Sequence, residues 1–226
     1  MPDAATVADR AVGHRPARWS AWVMGGKRVG LRELSRRAVR EEIAEAATAL
    51  FLERGFEATT VDDIGAAVGM SQRSVFRYFA TKEEIVLGHF GLVLDDMLAA
   101  LRARPADEPV WTSLRRVFDV LPARPEAPGH QHWMAPVHRM VFETPVLLAG
   151  YLQKLHRTQE AVVTELTERA ASTGAPYAPG DPAPRALTAV AFGCLLAAQR
   201  SWLASDGKGS FTDALDRAMA TVGPRA

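Results

Sequence analysis

Apolar residues recur at helical spacing through most of this chain. Ile43, Ala46, Ala47, Leu50 and Phe51 fall at i, i+3, i+4, i+7 and i+8, the stripe of an amphipathic helix that begins near Ser35 and stops at Gly55. Thr60 opens a second helix, three residues before Asp63 in a capping-box arrangement with Asp in the usual Glu place, and Gly69 ends it. Ser71 caps a third helix over residues 72–79, and Thr81 with Glu84 starts a fourth over residues 82–102. The first three can enclose a small core from Phe51, Phe56, Val61, Ile64, Val68, Val75, Phe76 and Phe79.

Beyond Pro105 the pattern predicts helices over residues 109–121, 130–142, 145–172, 182–205 and 211–222, with Thr144-Pro145 and Asp181-Pro182 as cap-and-proline starts. Strand alternation is absent, so the expected fold is all-α with about nine helices. Leu187, Val190, Ala191, Cys194, Leu195, Ala198 and Trp202 form one stripe of the helix 182–205, and Phe192, Leu196, Gln199 and Leu203 extend the apolar surface around it. A helix apolar on two sides is buried on two sides. With Phe211, Leu215, Ala218, Met219 and Val222 of the last helix it either forms a homodimer interface, a four-helix bundle across a two-fold axis, or lies inside a monomer. Residues 1–30 lack helical periodicity and are rich in Arg, Ala, Gly and Pro, the pattern of a flexible basic arm. Trp19 and Trp22 depart from it, either docking on the folded body or marking an alternative, longer start.

Charge sharpens this division. The net formal charge is +1, but residues 1–82 carry +3 and residues 83–226 carry −2. Within residues 1–40, nine basic residues face only Asp3, Asp9 and Glu33, a bias that suits a solvated tail or added phosphate contacts. The single cysteine, Cys194, rules out an intramolecular disulfide framework. Without an apolar run of transmembrane length or a signal-peptide pattern, a cytoplasmic protein without membrane association is expected.

Residues 59–84 hold the most specific chemistry. Gln72, Arg73, Ser74 and Arg77 are polar donors and acceptors on a short helix, the type needed to reach base edges in a major groove about 12 Å wide. Arg73 suits guanine and Gln72 adenine, while Ser71 and Tyr78 are better placed for phosphates. Lys82 at a helix N-terminus adds charge where an anion is already favoured. Without DNA these would be solvated arginines, plain helix caps and a half-buried tyrosine. The run Thr59-Thr60-Val61-Asp62-Asp63-Ile64, Gly69 through Phe79, and Thr81-Lys82-Glu83-Glu84 resembles the N-terminal domain of the TetR family, with order and spacing kept from about Arg37 to Leu87. The resemblance implies a helix-turn-helix domain over residues 31–82, a helical effector-binding and dimerisation domain over 83–226, and repression of a palindromic double-stranded operator. It also implies that Thr60, at the start of the second helix, touches phosphate, and the anion favoured at Lys82 is read as a phosphate as well.

The resemblance places a small-molecule pocket among the C-terminal helices, and the candidate lining is Phe90, Val93, Met97, Trp111, Phe118, Trp133, His138, Phe142, Tyr151 and Gln199. Residues 138–145 also resemble family members related to the mycofactocin regulator, some of which respond to fatty acyl-CoA, and this points to a long-chain acyl thioester. The competing class is a helical metal-dependent or nucleotide-handling enzyme, suggested by His130, His132, His138 and Glu143. On a helix His130 and His132 would point about 200° apart, unlike a chelating i, i+4 pair, although a loop there would lift that objection. With no phosphate loop, nucleophile elbow or paired carboxylates, no catalytic residue, metal or cofactor is expected.

Overall fold

The chain turns back on itself repeatedly as helices, each begun or ended by a residue with a local reason to do so. The computed structural model describes residues 31–121 and 130–223, so the proposed basic arm, with Trp19 and Trp22, lies outside the described residues. Among the described residues there are nine α-helices, one 3-10 turn and no strand. They are α1 (Leu31–Arg54), α2 (Val61–Ala67), α3 (Gln72–Val75), α4 (Lys82–Arg102), α5 (Val110–Val117) with a following 3-10 turn (Phe118–Val120), α6 (His130–Glu143), α7 (Pro145–Ser172), α8 (Ala183–Ala204) and α9 (Phe211–Val222).

The expected spans differ from these mainly at their ends. No breaker follows Gly30, so α1 starts at Leu31 rather than Ser35. The third helix is shorter than expected: Arg77 N–H bonds Ser74 O and Tyr78 N–H bonds Val75 O, so the chain after Val75 tightens into i to i−3 turns. The helix 109–121 likewise ends at Val117 and continues as the 3-10 turn.

One continuous core runs from Ile43 in α1 to Met219 in α9. Helix α4 threads it: Ile85, Val86 and Leu87 lie near its start, Phe90, Leu94, Met97 and Leu101 along its body, all buried. It crosses α7 so closely that a Cβ on Gly150 would sit 2.5 Å from Leu87 Cδ1. The α4–α5 connection is fastened to α7 by Arg169, which donates to the carbonyls of Pro105, Ala106 and Glu108 and to Ser113 Oγ. Glu108 accepts from Arg104 and Ser113, and these bonds, that of Arg104 first, hold its carboxyl down to about 2. Helices α8 and α9 pack side by side. Cys194 of α8 is buried against α9, its Sγ donating to Ala218 O at 3.5 Å.

Candidate DNA-reading surface and effector core

Each short helix of the N-terminal unit is closed by its own side chains. Thr60 caps α2 by accepting from Asp63 N–H at 3.1 Å, while Asp63 accepts from Thr60 N–H at 2.8 Å and Thr60 Oγ1 at 2.6 Å. These bonds, the side-chain one first, hold the Asp63 carboxyl below its usual range. Ser71 caps α3 through Ser74 N–H at 3.2 Å, with the two hydroxyls 2.9 Å apart. Between them α2 turns sharply into α3: Gly69 adopts φ +67°, and Met70 O comes so near Gly65 that a Cβ there would sit 2.6 Å away.

On α3 and the turn that follows it, Gln72, Arg73 and Arg77 are exposed, Ser74 and Tyr78 are half-buried, and Val75 and Phe79 face inward. Of the expected base-reading residues this leaves Gln72, Arg73 and Arg77 exposed at the surface and Ser74 half-buried, with Thr60 and Ser71 exposed at the two helix starts. Phe76 corrects the expected core. It is 45% exposed and shares that surface instead of packing with Val75 and Phe79, because the buried wedge of so short a helix is too narrow to include it.

Lys82 is tied into the protein itself. Its ammonium donates to Phe56 O at 2.8 Å and Thr59 O at 3.2 Å and lies 4.2 Å from the Phe56 ring centre. Two of its three donors are thus held by the protein's own carbonyls, and the side chain works as a strut between the α1–α2 connection and the start of α4. Sequence reasoning missed two neighbours with the same task. Arg40 of α1 donates to Tyr78 O, stacks 4.2 Å from the Phe79 ring centre and lies 3.8 Å from Glu84. Fully buried Thr59 donates to Gly55 O at 2.9 Å. No local signal marks Arg40, whose partner Tyr78 lies 38 residues away, whereas Thr59 bonds a carbonyl only four residues back.

The ten expected pocket residues divide. Phe90, His138, Phe142 and Tyr151 meet edge to face, with ring centres 5.1 to 5.9 Å apart along Phe90–His138, Phe90–Tyr151 and Phe142–Tyr151. In the core the Tyr151 hydroxyl donates to Gln199 Oε1 at 3.0 Å and accepts from Gln199 Nε2 at 2.9 Å, and burial pushes the tyrosine up to about 12. Phe118 belongs elsewhere, edge-on to Phe192 at 5.5 Å, and Trp111 packs against the end of α9 near Gly223. Met97 is fully buried and Val93 half-buried, while the side chain of Trp133 lies outside the described residues, as do those of His130 and His132. A hollow of about 290 Å³ opens beside the first ring cluster, lined by Arg139, Phe142, Glu143, Arg200, Leu203 and Ala204.

Helix α8 buries one face and exposes the other, instead of keeping the two expected stripes apart. Thr188, Ala191, Phe192, Leu195, Ala198 and Gln199 point into the core, while Ala186, Ala189, Val190, Gly193 and Ala197 are exposed. That composition makes α8 long and apolar enough to cross a membrane, a property shared by the core helices of soluble proteins. In α9 the expected interface stripe is divided, for Leu215 and Met219 are buried within the protomer and Val222 is 53% exposed.

Two family models match the chain. Residues 43–88 match that of the bacterial regulatory proteins of the TetR family, and residues 108–226 match the MftR C-terminal domain. The chain belongs to the TetR family. Its N-terminal helix-turn-helix and all-helical body are those of TetR-type DNA-binding transcriptional regulators, a family of regulators rather than enzymes. TcmR of Streptomyces glaucescens, an HTH-type transcriptional regulator, is 36% identical over 129 residues, covering 55% of this chain and 57% of TcmR. The chain thus spans little more than half of that relative. MftR of Mycobacterium tuberculosis, named for regulation of mycofactocin biosynthesis, is 28% identical over 87% of this chain and 93% of its own. Among solved TetR-type structures, FadR of Thermus thermophilus in complex with lauroyl-CoA superimposes with a TM-score of 0.54 at 20% identity, covering 83% of this chain and 96% of that one. FadR of Bacillus subtilis in complex with stearoyl-CoA gives 0.55 at 18% identity, covering 80% and 95%. At such identities the likeness to the FadR structures is one of fold.

Proposed function

We propose that this TetR-family regulator is a repressor: a homodimer, joined through α8 and α9, that holds a palindromic operator until a largely apolar effector releases it. Residues 31–82 form the reading unit and residues 83–226 the effector and dimerisation domain. Gln72, Arg73, Ser74 and Arg77 face base edges, and Thr60, Ser71 and Tyr78 face phosphates. The path of α4 carries this proposal. Lys82, Glu84 and Arg40 fix its first turn to the reading unit, and Phe90 and Met97 on the same helix lie in the effector core. A molecule that displaces Phe90 or Tyr151 therefore tilts the helix that carries the reading head.

The aromatic cluster supports an apolar effector, and the lauroyl-CoA and stearoyl-CoA bound by the two FadR proteins make a long-chain acyl-CoA the first to test. A duplex selected by the protein from a random pool is titrated with and without each thioester. Operator affinity falls by roughly 5- to 150-fold with the effector, and the duplex weakens effector binding by the same factor. Unchanged DNA affinity with both thioesters overturns the acyl-CoA assignment. The dimer has its own probe in Val190→Glu, which places a charge on the exposed face of α8 and yields a folded monomer by sedimentation. A full-strength dimer in Val190→Glu moves the interface elsewhere.

A further inference from the structure

Phe76 is the only aromatic among the large apolar side chains left exposed in the described residues; the others are leucines and valines. It lies four residues after Gln72 and three after Arg73 in right-handed helical backbone, φ −64° and ψ −13°, with its N–H bonded to Gln72 O at 3.0 Å. Its ring therefore shares a face with Gln72 and Arg73, and Arg77 follows it directly. Two guanidiniums beside an apolar ring make a poor seat for an apolar protein partner or a second copy of this chain, since each cation would lose water without gaining a counter-charge. A polyanion with an apolar knob in its groove suits both parts of this surface.

We propose that Phe76 is a specificity residue that reads thymine, its ring packing on the C5-methyl group in the major groove while Arg73 and Arg77 flank it. A phenyl ring neither donates nor accepts a conventional hydrogen bond, so it gains nothing from phosphate oxygens or from the amino and carbonyl edges of bases. Thymine is the one standard base that presents a methyl group in the major groove. Removing one such group from water contributes about fourfold to affinity, hence about sixteenfold across two symmetric half-sites.

The inference rests on the DNA-reading proposal, and the test separates the two. A duplex is selected from a random pool by the full-length protein, and its thymines are replaced in symmetric pairs by deoxyuridine, which keeps every pairing and acceptor atom and lacks only the methyl group. One pair should weaken wild-type binding about sixteenfold. Phe76→Ala should bind the parent duplex more weakly and lose the thymine–uracil difference, and Phe76→Leu should restore part of it, with melting temperatures unchanged because the ring lies outside the core. Wild-type indifference to every replacement overturns the inference, as does a Phe76→Ala variant that keeps the full difference. Failure to enrich any duplex overturns the DNA-reading proposal and this inference with it.

Discussion

In the N-terminal unit polar groups close the backbone over a few residues, Thr60 with Asp63 and Ser71 with Ser74, and Lys82 and Arg40 cap loose carbonyls. In the C-terminal unit rings from helices far apart in sequence meet edge to face, and the Tyr151–Gln199 pair is the polar contact at their centre. The first construction keeps its shape through short directional bonds, and the second keeps it only while the rings fill the space between α4, α6, α7 and α8. A regulator needs this division: a head that holds its pattern and a body that a bound molecule can reshape.

The contrast breaks first at Phe118. Phe118→Ala removes a fully buried ring packed on Phe192 and should cost about 3–5 kcal/mol in denaturant unfolding. A loss below about 1 kcal/mol would mean that the body is not held by packing.

Tyr151 tests the polar centre through pH. The core favours its neutral phenol, whose folded-state value of about 12 stands above the ordinary 10. Its contribution is whole below pH 10 and is lost as pH rises through 12, because the unfolded chain ionises first. About 2–3 kcal/mol should disappear over that window in wild type and not in Tyr151→Phe, measured by unfolding at stepped pH.

Lys82 sharpens the contrast at the junction. Lys82→Ala should destabilise the protein by about 2 kcal/mol through the two carbonyls left without a donor, while leaving the salt slope of DNA binding unchanged. A slope flattened by about one unit would make it a phosphate contact after all. The smallest effect belongs to a cap: Thr60→Ala should cost about 1 kcal/mol, read by thermal melting.

The caps could be read from sequence because donor and acceptor lie three residues apart, as at Thr60–Asp63, Ser71–Ser74 and Thr81–Glu84. The helices beyond Pro105 were readable for the same local reason, prolines and caps marking their starts. The Tyr151–Gln199 bond and the Arg40–Tyr78 contact span 48 and 38 residues, and nothing local marks either one. Lys82 reads as a phosphate anchor because a helix N-terminus favours an anion whatever lies nearby, and its bonds to Phe56 O and Thr59 O are not legible because only the fold brings those carbonyls within reach. Phe76 was misplaced because its spacing from Phe79 fits a helical stripe, while the chain stops being regular helix after Val75. Trp111, Phe118 and Tyr151 were grouped as lining of the pocket the resemblance implies, which carries no information about which aromatic residues meet.

The single thiol of the chain sits where α8 and α9 meet, and burial pushes it above the ordinary cysteine range. Little of it is thiolate at neutral pH, and at 6% exposure a reagent reaches it readily only when the packing around α8 and α9 parts. Because there is one sulfhydryl in 226 residues, each modified chain marks one such parting, with no second site to subtract. The rate of thiol labelling thus serves as a built-in clock for opening of the α8–α9 seam, free of any introduced probe. Timed with and without operator duplex and effector, it would show whether either partner tightens or loosens the pair of helices on which subunit association is proposed to depend.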